Sequence, residues 1–143
     1  MGKLTTATIA TAAMLAVMAG ALPAAAEEKE LLGTAWLARE IAGSPSADGV
    51  RSTLEFAKPG QAGGTTGCNQ YFGPVSLENG QIVFGNLAST RKMCPPSEMD
   101  QEQRFLQALA ASRRLALSAD EQSLLVYADG GEPVLKLARI VDK

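Results

Sequence analysis

Past residue 26, hydrophobic and polar positions mostly alternate with a period of two, in short runs parted by Gly, Pro, Asn and Asp. That period puts successive side chains on opposite faces and predicts half-buried β-strands joined by turns. Leu32–Ile41 is the first run, with Trp36 as its large apolar member. Ala42–Gly49 is a loop by composition, and Arg51–Ala57 places Leu54 and Phe56 on one face. Lys58–Gly64 is a second loop, leading into a strand over Thr65–Tyr71. Val75–Glu78 and Gln81–Phe84 flank Asn79-Gly80. This predicts a hairpin with a type I′ turn, because both central residues tolerate positive φ. Strands return at Leu115–Ser118, Ser123–Ala128 and Pro133–Val141, the last two joined at Asp129-Gly130-Gly131.

One segment has a different period. Pro95-Pro96-Ser97 halts what precedes it and offers Ser97 as an N-cap, with Glu98 and Asp100 in the first helical turn. Met99, Phe105, Leu106, Leu109 and Ala110 then gather on one side. Asp100 and Arg104 are spaced for an i, i+4 pair, and Arg113-Arg114 fall where the helix dipole favours cations. Seven or eight short strands and one amphipathic helix predict a mainly β fold, a small antiparallel barrel capped by that helix. No internal repeat or second domain is visible.

The first 26 residues read differently. Lys3 supplies one early positive charge, Leu4–Leu22 is an uncharged Ala/Thr/Met/Leu/Val tract, and Pro23-Ala24-Ala25-Ala26 precedes an abrupt Glu27-Glu28-Lys29-Glu30. Ala24 and Ala26 fit the small-residue pattern of signal-peptidase cleavage, which puts the cut between Ala26 and Glu27. The competing reading is an uncleaved anchor, since the tract is about long enough to span a bilayer. No cysteine lies near it, so N-terminal lipidation is excluded, and there is no twin-arginine pair. The expected product is residues 27–143, a domain in the periplasm or secreted, without stable membrane insertion.

Composition narrows the chemistry. The 143-residue chain contains no histidine, which removes Ser/His/Asp and Cys/His nucleophile systems and every histidine metal ligand. Without Lys3 the domain holds 12 basic and 15 acidic residues, net −3, with no basic block suited to nucleic acid. Cys68 and Cys94 are the two cysteines. Export permits a bridge between them, worth roughly 3–4 kcal/mol by loop-closure entropy. A free buried pair and a redox couple are the alternatives, the second weakened by the absence of C-x-x-C.

Two segments are unusual in combination: Gly67-Cys68-Asn69-Gln70-Tyr71-Phe72-Gly73, and Ala88-Ser89-Thr90-Arg91-Lys92-Met93-Cys94 followed by Glu102-Gln103-Arg104-Phe105-Leu106-Gln107-Ala108-Leu109. With Leu32-Gly33-Thr34-Ala35-Trp36-Leu37, they resemble the META/HslJ family of exported bacterial domains over essentially all of the mature chain. Ala35 before Trp36 and the Lys92-Met93 pair depart from the usual family pattern. The resemblance implies a small lipocalin-like barrel with a packed helix. It also implies a loose link to heat shock, novobiocin resistance, motility or secretion, and virulence, without an established reaction or ligand. The matching positions are Gly67, Cys68, Asn69, Tyr71, Gly73, Thr90, Arg91, Cys94, Glu102, Phe105 and Leu109.

These residues also have plain physical readings. Gly67 and Gly73 permit tight turning or close backbone approach. Asn69 organises the turn after Cys68, by its side chain or by a left-handed φ. Tyr71 belongs in the core with its hydroxyl satisfied, or lines a groove. Arg91, beside Thr90, either presents a bidentate donor to an outside anion or carboxylate, or pairs internally with Glu102.

Catalytic look-alikes are weak. Ser89-Thr90-Arg91-Lys92 matches S-x-x-K, but the accompanying motifs of penicillin-recognising enzymes are missing. Gly63-Gly64-Thr65-Thr66-Gly67 lacks the Lys-Ser/Thr and βαβ context of a phosphate loop. Glu98, Asp100 and Glu102 sit where a helix start favours acids anyway. The expectation is therefore a monomeric, non-enzymatic domain without cofactor or metal, binding an envelope protein or a small molecule. The alternative is an inhibitor of an envelope-directed enzyme such as lysozyme, with Ala42–Gly49 or Lys58–Gly64 as the plug. Carriage of a ligand inside the barrel is disfavoured, because Trp36, Leu54, Phe56, Phe84 and Phe105 suffice to fill it.

Overall fold

A computed structural model describes Gly2 and residues 24–141, so the rest of the expected leader, Met1 and residues 3–23, lies outside the described residues. The elements in chain order are β1 (Ala24–Ala25), α1 (Glu28–Leu31), β2 (Ala35–Ile41), β3 (Ser44–Pro45), β4 (Thr53–Lys58) and β5 (Gln61–Thr65). They continue with β6 (Gln70–Glu78), β7 (Gln81–Phe84), β8 (Ala88–Ser89), α2 (Pro96–Ala111), β9 (Arg114–Leu117), β10 (Ser123–Tyr127) and β11 (Pro133–Arg139). Eight antiparallel strands run β9-β10-β11-β2-β4-β5-β6-β7, and β7 returns to β9 at Gln81 opposite Arg114, closing a barrel. The two-residue strands β1, β3 and β8 pair on β9, β2 and β6.

Alternation sets what faces inward. Trp36, Ala38 and Ile41 of β2, Leu54 and Phe56 of β4, Leu124 and Val126 of β10, and Leu135 and Leu137 of β11 form one core with Phe105 and Leu109 of α2. The Trp36 indole N–H donates to Thr34 Oγ1 at 2.7 Å, so its polar edge is satisfied inside. Helix α2 packs against β2, β7 and β11, and buries Gln101, Phe105, Ala108 and Leu109. Asn79 and Gly80 have φ of 50° and 76°, both positive as the type I′ hairpin requires.

Several boundaries differ from the alternation reading, each for a local reason. The first run opens with a helical turn, α1, and β2 starts at Ala35. Leu32 and Gly33 are exposed, and the Thr34 N–H and hydroxyl both bind the Leu31 carbonyl, closing the turn. Lys58–Gly64 is mostly strand: Pro59-Gly60 makes the turn and β5 follows, its glycines hidden to a pattern search but able to join a ladder through backbone alone. The expected Thr65–Tyr71 strand breaks at residues 66–69, where the chain turns before β6. Ala42–Gly49 remains a loop apart from β3. Pro95, not Ser97, is the N-cap of α2, and Pro96 takes the first helical position, where a missing N–H costs nothing. Ala110 is exposed rather than on the packed side.

The expected cleavage point lies at an ordered place. Ala24 and Ala25 pair with Leu117 and Ala116, and Ala26 is fully buried in the core. Glu27 is the N-cap of α1, in a capping box with Glu30.

Candidate functional site

The family-like segments meet at one end of the barrel, around the turn at residues 66–69. Gly67 has φ +116°, and a Cβ there would come within 2.9 Å of Val50, so the turn requires glycine for both conformation and space. The buried Thr66 hydroxyl accepts the Asn69 N–H at 2.9 Å and donates to Glu102 Oε1 at 2.6 Å. Asn69 is 3% exposed. Its Nδ2 donates to the same Glu102 oxygen at 2.9 Å, and its Oδ1 accepts the Lys92 N–H at 2.6 Å and the Thr90 hydroxyl at 3.0 Å. Thr90 Oγ1 in turn accepts the Gln70 N–H at 3.1 Å. Cys68 and Cys94 form a disulfide with Cα atoms 5.8 Å apart.

One asparagine and one disulfide thus join three segments: the turn before β6, residues 90–94, and helix α2. Asn69 does this through its side chain; it is not among the residues with positive φ. Glu102 is a half-buried acceptor of two neutral donors, and Arg91 is exposed and forms no ion pair with it. The internal Arg91–Glu102 bridge is therefore replaced by a Thr66–Glu102–Asn69 clasp, and Arg91 faces outward. Gly73 serves close approach, since a Cβ there would stand 2.8 Å from the Asn86 carbonyl oxygen.

The clasp continues inward. Gln101, fully buried, donates to Ser52 Oγ at 2.9 Å and accepts the Ala47 N–H at 2.7 Å, while Ser52 donates to the Thr66 carbonyl at 2.6 Å. Tyr71 donates its hydroxyl to the Thr53 carbonyl at 2.7 Å and meets the Phe105 ring edge-on, centroids 5.8 Å apart. Burial pushes the Tyr71 hydroxyl well above its ordinary value near 10, and the Glu55 carboxylate adds to the rise. Gln101, Ser52 and Thr66 were not singled out by sequence. Gln101 did leave a signal: it stands four residues before Phe105, so a polar amide lies on the apolar stripe of α2 and needs buried partners.

What remains outside the clasp is a fixed tip. Arg91, Lys92 and Met93 are exposed, Met93 at 90%, on a segment pinned at Thr90, at the Lys92 backbone and at Cys94. Among the described residues no group of three or more acids and cysteines stands together as a metal site would require.

The META domain family matches residues 29–139. A solved NMR structure of a protein from Burkholderia xenovorans is similar to this chain at 25% identity and a TM-score of 0.71, covering 97% of this chain and all of its own. A second NMR structure shares the fold at 21% identity and a TM-score of 0.63, over 79% of this chain and 94% of its own. No curated protein matches. With the disulfide-clasped barrel and a family match spanning nearly all of it, this chain belongs to the META domain family.

Proposed function

We propose that this META domain acts in the cell envelope without catalysis, by binding a partner with the tip formed by Arg91, Lys92 and Met93. The observation that carries this reading is the exposure of an apolar side chain and two cations on a segment held by a disulfide and two Asn69 hydrogen bonds. A pre-ordered segment loses little entropy on docking, and a methionine adapts to uneven apolar surfaces. Two neighbouring cations favour a partner surface carrying carboxylates. Export is supported by the leader-like first 26 residues and by the disulfide, a bond that persists in oxidising compartments. The stress association comes from the resemblance to HslJ-like domains.

Interior carriage finds less support, because large side chains occupy the barrel. The enzyme-inhibitor reading loses one of its two plugs, since most of Lys58–Gly64 is strand β5. The test is cross-linking of the tagged protein in the envelope, before and after heat or novobiocin. We expect one captured partner, lost in the R91E/K92E double variant while the melting temperature is unchanged. Equal capture by both forms overturns the tip as the contact.

A further inference from the structure

The outside of the barrel carries a second feature: an open concavity of about 780 Å³ where β2, β4, β5 and β6 pass side by side. Strand register puts Glu55 opposite Gly63, Gly63 opposite Phe72, and Phe72 opposite Ala88. Both cross-strand neighbours of Phe72 are therefore too small to pack beside its ring, which is 69% exposed. A phenylalanine lying over a cross-strand glycine can serve the sheet alone. A ring committed to that role would not keep more than two thirds of its surface in water.

The floor beneath is bare and stiff. A Cβ at Gly63 would sit 3.0 Å from the Tyr71 carbonyl oxygen, and one at Gly64 would run into the Thr53 carbonyl. The Tyr71 hydroxyl and the Thr65 N–H both bond to Thr53, at 2.7 and 3.0 Å, locking β4, β5 and β6 together. Around this floor stand Arg51, Glu55, Lys58, Gln61 and Gln70, with Lys58 directly across from Gln61. Among the described residues neither Arg51 nor Glu55 is in an ion pair. With Lys58 they offer a guanidinium, an ammonium, a carboxylate and two amides, so both donors and acceptors border the ring.

The geometry points to a binding groove for a neutral oligosaccharide, with the C–H face of one sugar ring on Phe72 and its hydroxyls shared among Glu55, Gln61 and Gln70. A sugar ring has an apolar face bordered by hydroxyls that both donate and accept, which matches an exposed ring bordered by amides and a carboxylate. A cation would meet the like charges of Arg51 and Lys58 and an anion that of Glu55, whereas a neutral chain of hydroxyls meets no like charge. The open shape admits a chain rather than enclosing one small molecule. The groove and the tip use different side chains for binding, so either assignment can fail alone.

The test is an NMR titration of the purified protein with chitotetraose, cellotetraose and maltotetraose. We expect amide shifts confined to β4, β5 and β6 around Gly63 and Phe72 with at least one of them. F72A weakens that response about ten-fold, F72W restores it, and E55Q weakens it with an unchanged melting temperature. The proposal is overturned by silence toward all three sugars at about 10 mM. It is equally overturned by shifts that F72A leaves intact, or by a stronger response at this groove to a blocked tetrapeptide or to citrate.

Discussion

Asn69 spends its whole amide on other segments: Glu102 on the helix, Thr90 and the Lys92 backbone on the tip. Truncation to alanine leaves the Lys92 N–H, the Thr90 hydroxyl and the half-buried Glu102 carboxylate short of a partner. We expect N69A to lose about 2–4 kcal/mol in denaturant unfolding, whereas R91A, at an exposed and unpaired position, stays within about 0.5 kcal/mol. Tyr71 makes a pH-dependent prediction. Its folded pKa is raised, so its contribution is complete below the unfolded value near 10 and declines as pH climbs above it. Alkaline titration should show the Tyr71 phenolate absorbance rising together with loss of near-UV circular dichroism, and Y71F should move that loss to higher pH. At this scale the sequence was informative about which residues matter and less so about what they touch. Asn69, Thr90 and Glu102 all stand out in the motif, yet the partner of Glu102 was open. A carboxylate near an arginine suggests an ion pair, and spacing alone cannot show that Thr66 and Asn69 reach it first.

Elements test the reading differently. Ser97 looks like an N-cap because serine, then two acids, precede an apolar run. The helix instead begins two residues earlier, with Pro96 supplying a preset φ and Pro95 as the cap. S97A should therefore change stability by less than about 0.5 kcal/mol, where a true cap would cost about 1 kcal/mol; thermal melts separate the two. The disulfide closes a separation of 26 residues that includes β6, β7 and β8. The C68A/C94A double variant should be about 3–4 kcal/mol less stable by denaturant titration, and its tip amides should exchange faster. The hairpin at Asn79-Gly80 was readable because its turn chemistry is specific. Strand β5 was not, since Ala62-Gly63-Gly64 carries no alternation to read, and its ladder rests on backbone groups that every residue possesses.

For the molecule as a whole, strand count and the helix predict a small barrel, but not where it closes. Closure is a long-range event: Gln81 meets Arg114, the Ile82 N–H reaches the Arg113 carbonyl at 2.9 Å, and the Leu115 N–H reaches Gly80 at 2.7 Å. Beyond Leu115, β7 has already turned away at Asn79-Gly80, and the edge of β9 is taken instead by Ala24 and Ala25. Ala26, next in line, is completely buried. The same alanines that read as a cleavage signal thus finish the barrel's seam, and processing between Ala26 and Glu27 would remove them from it. A chain beginning at Glu27 should then be about 1–2 kcal/mol less stable than one beginning at Ala24, through two lost strand pairings and one emptied core position. Hydrogen exchange should quicken at Ala116 and Leu117 while the β4–β6 ladder keeps its protection. Equal stability and equal exchange in the two chains would mean that α1, with its capping box at Glu27 and Glu30, holds the seam without the alanines.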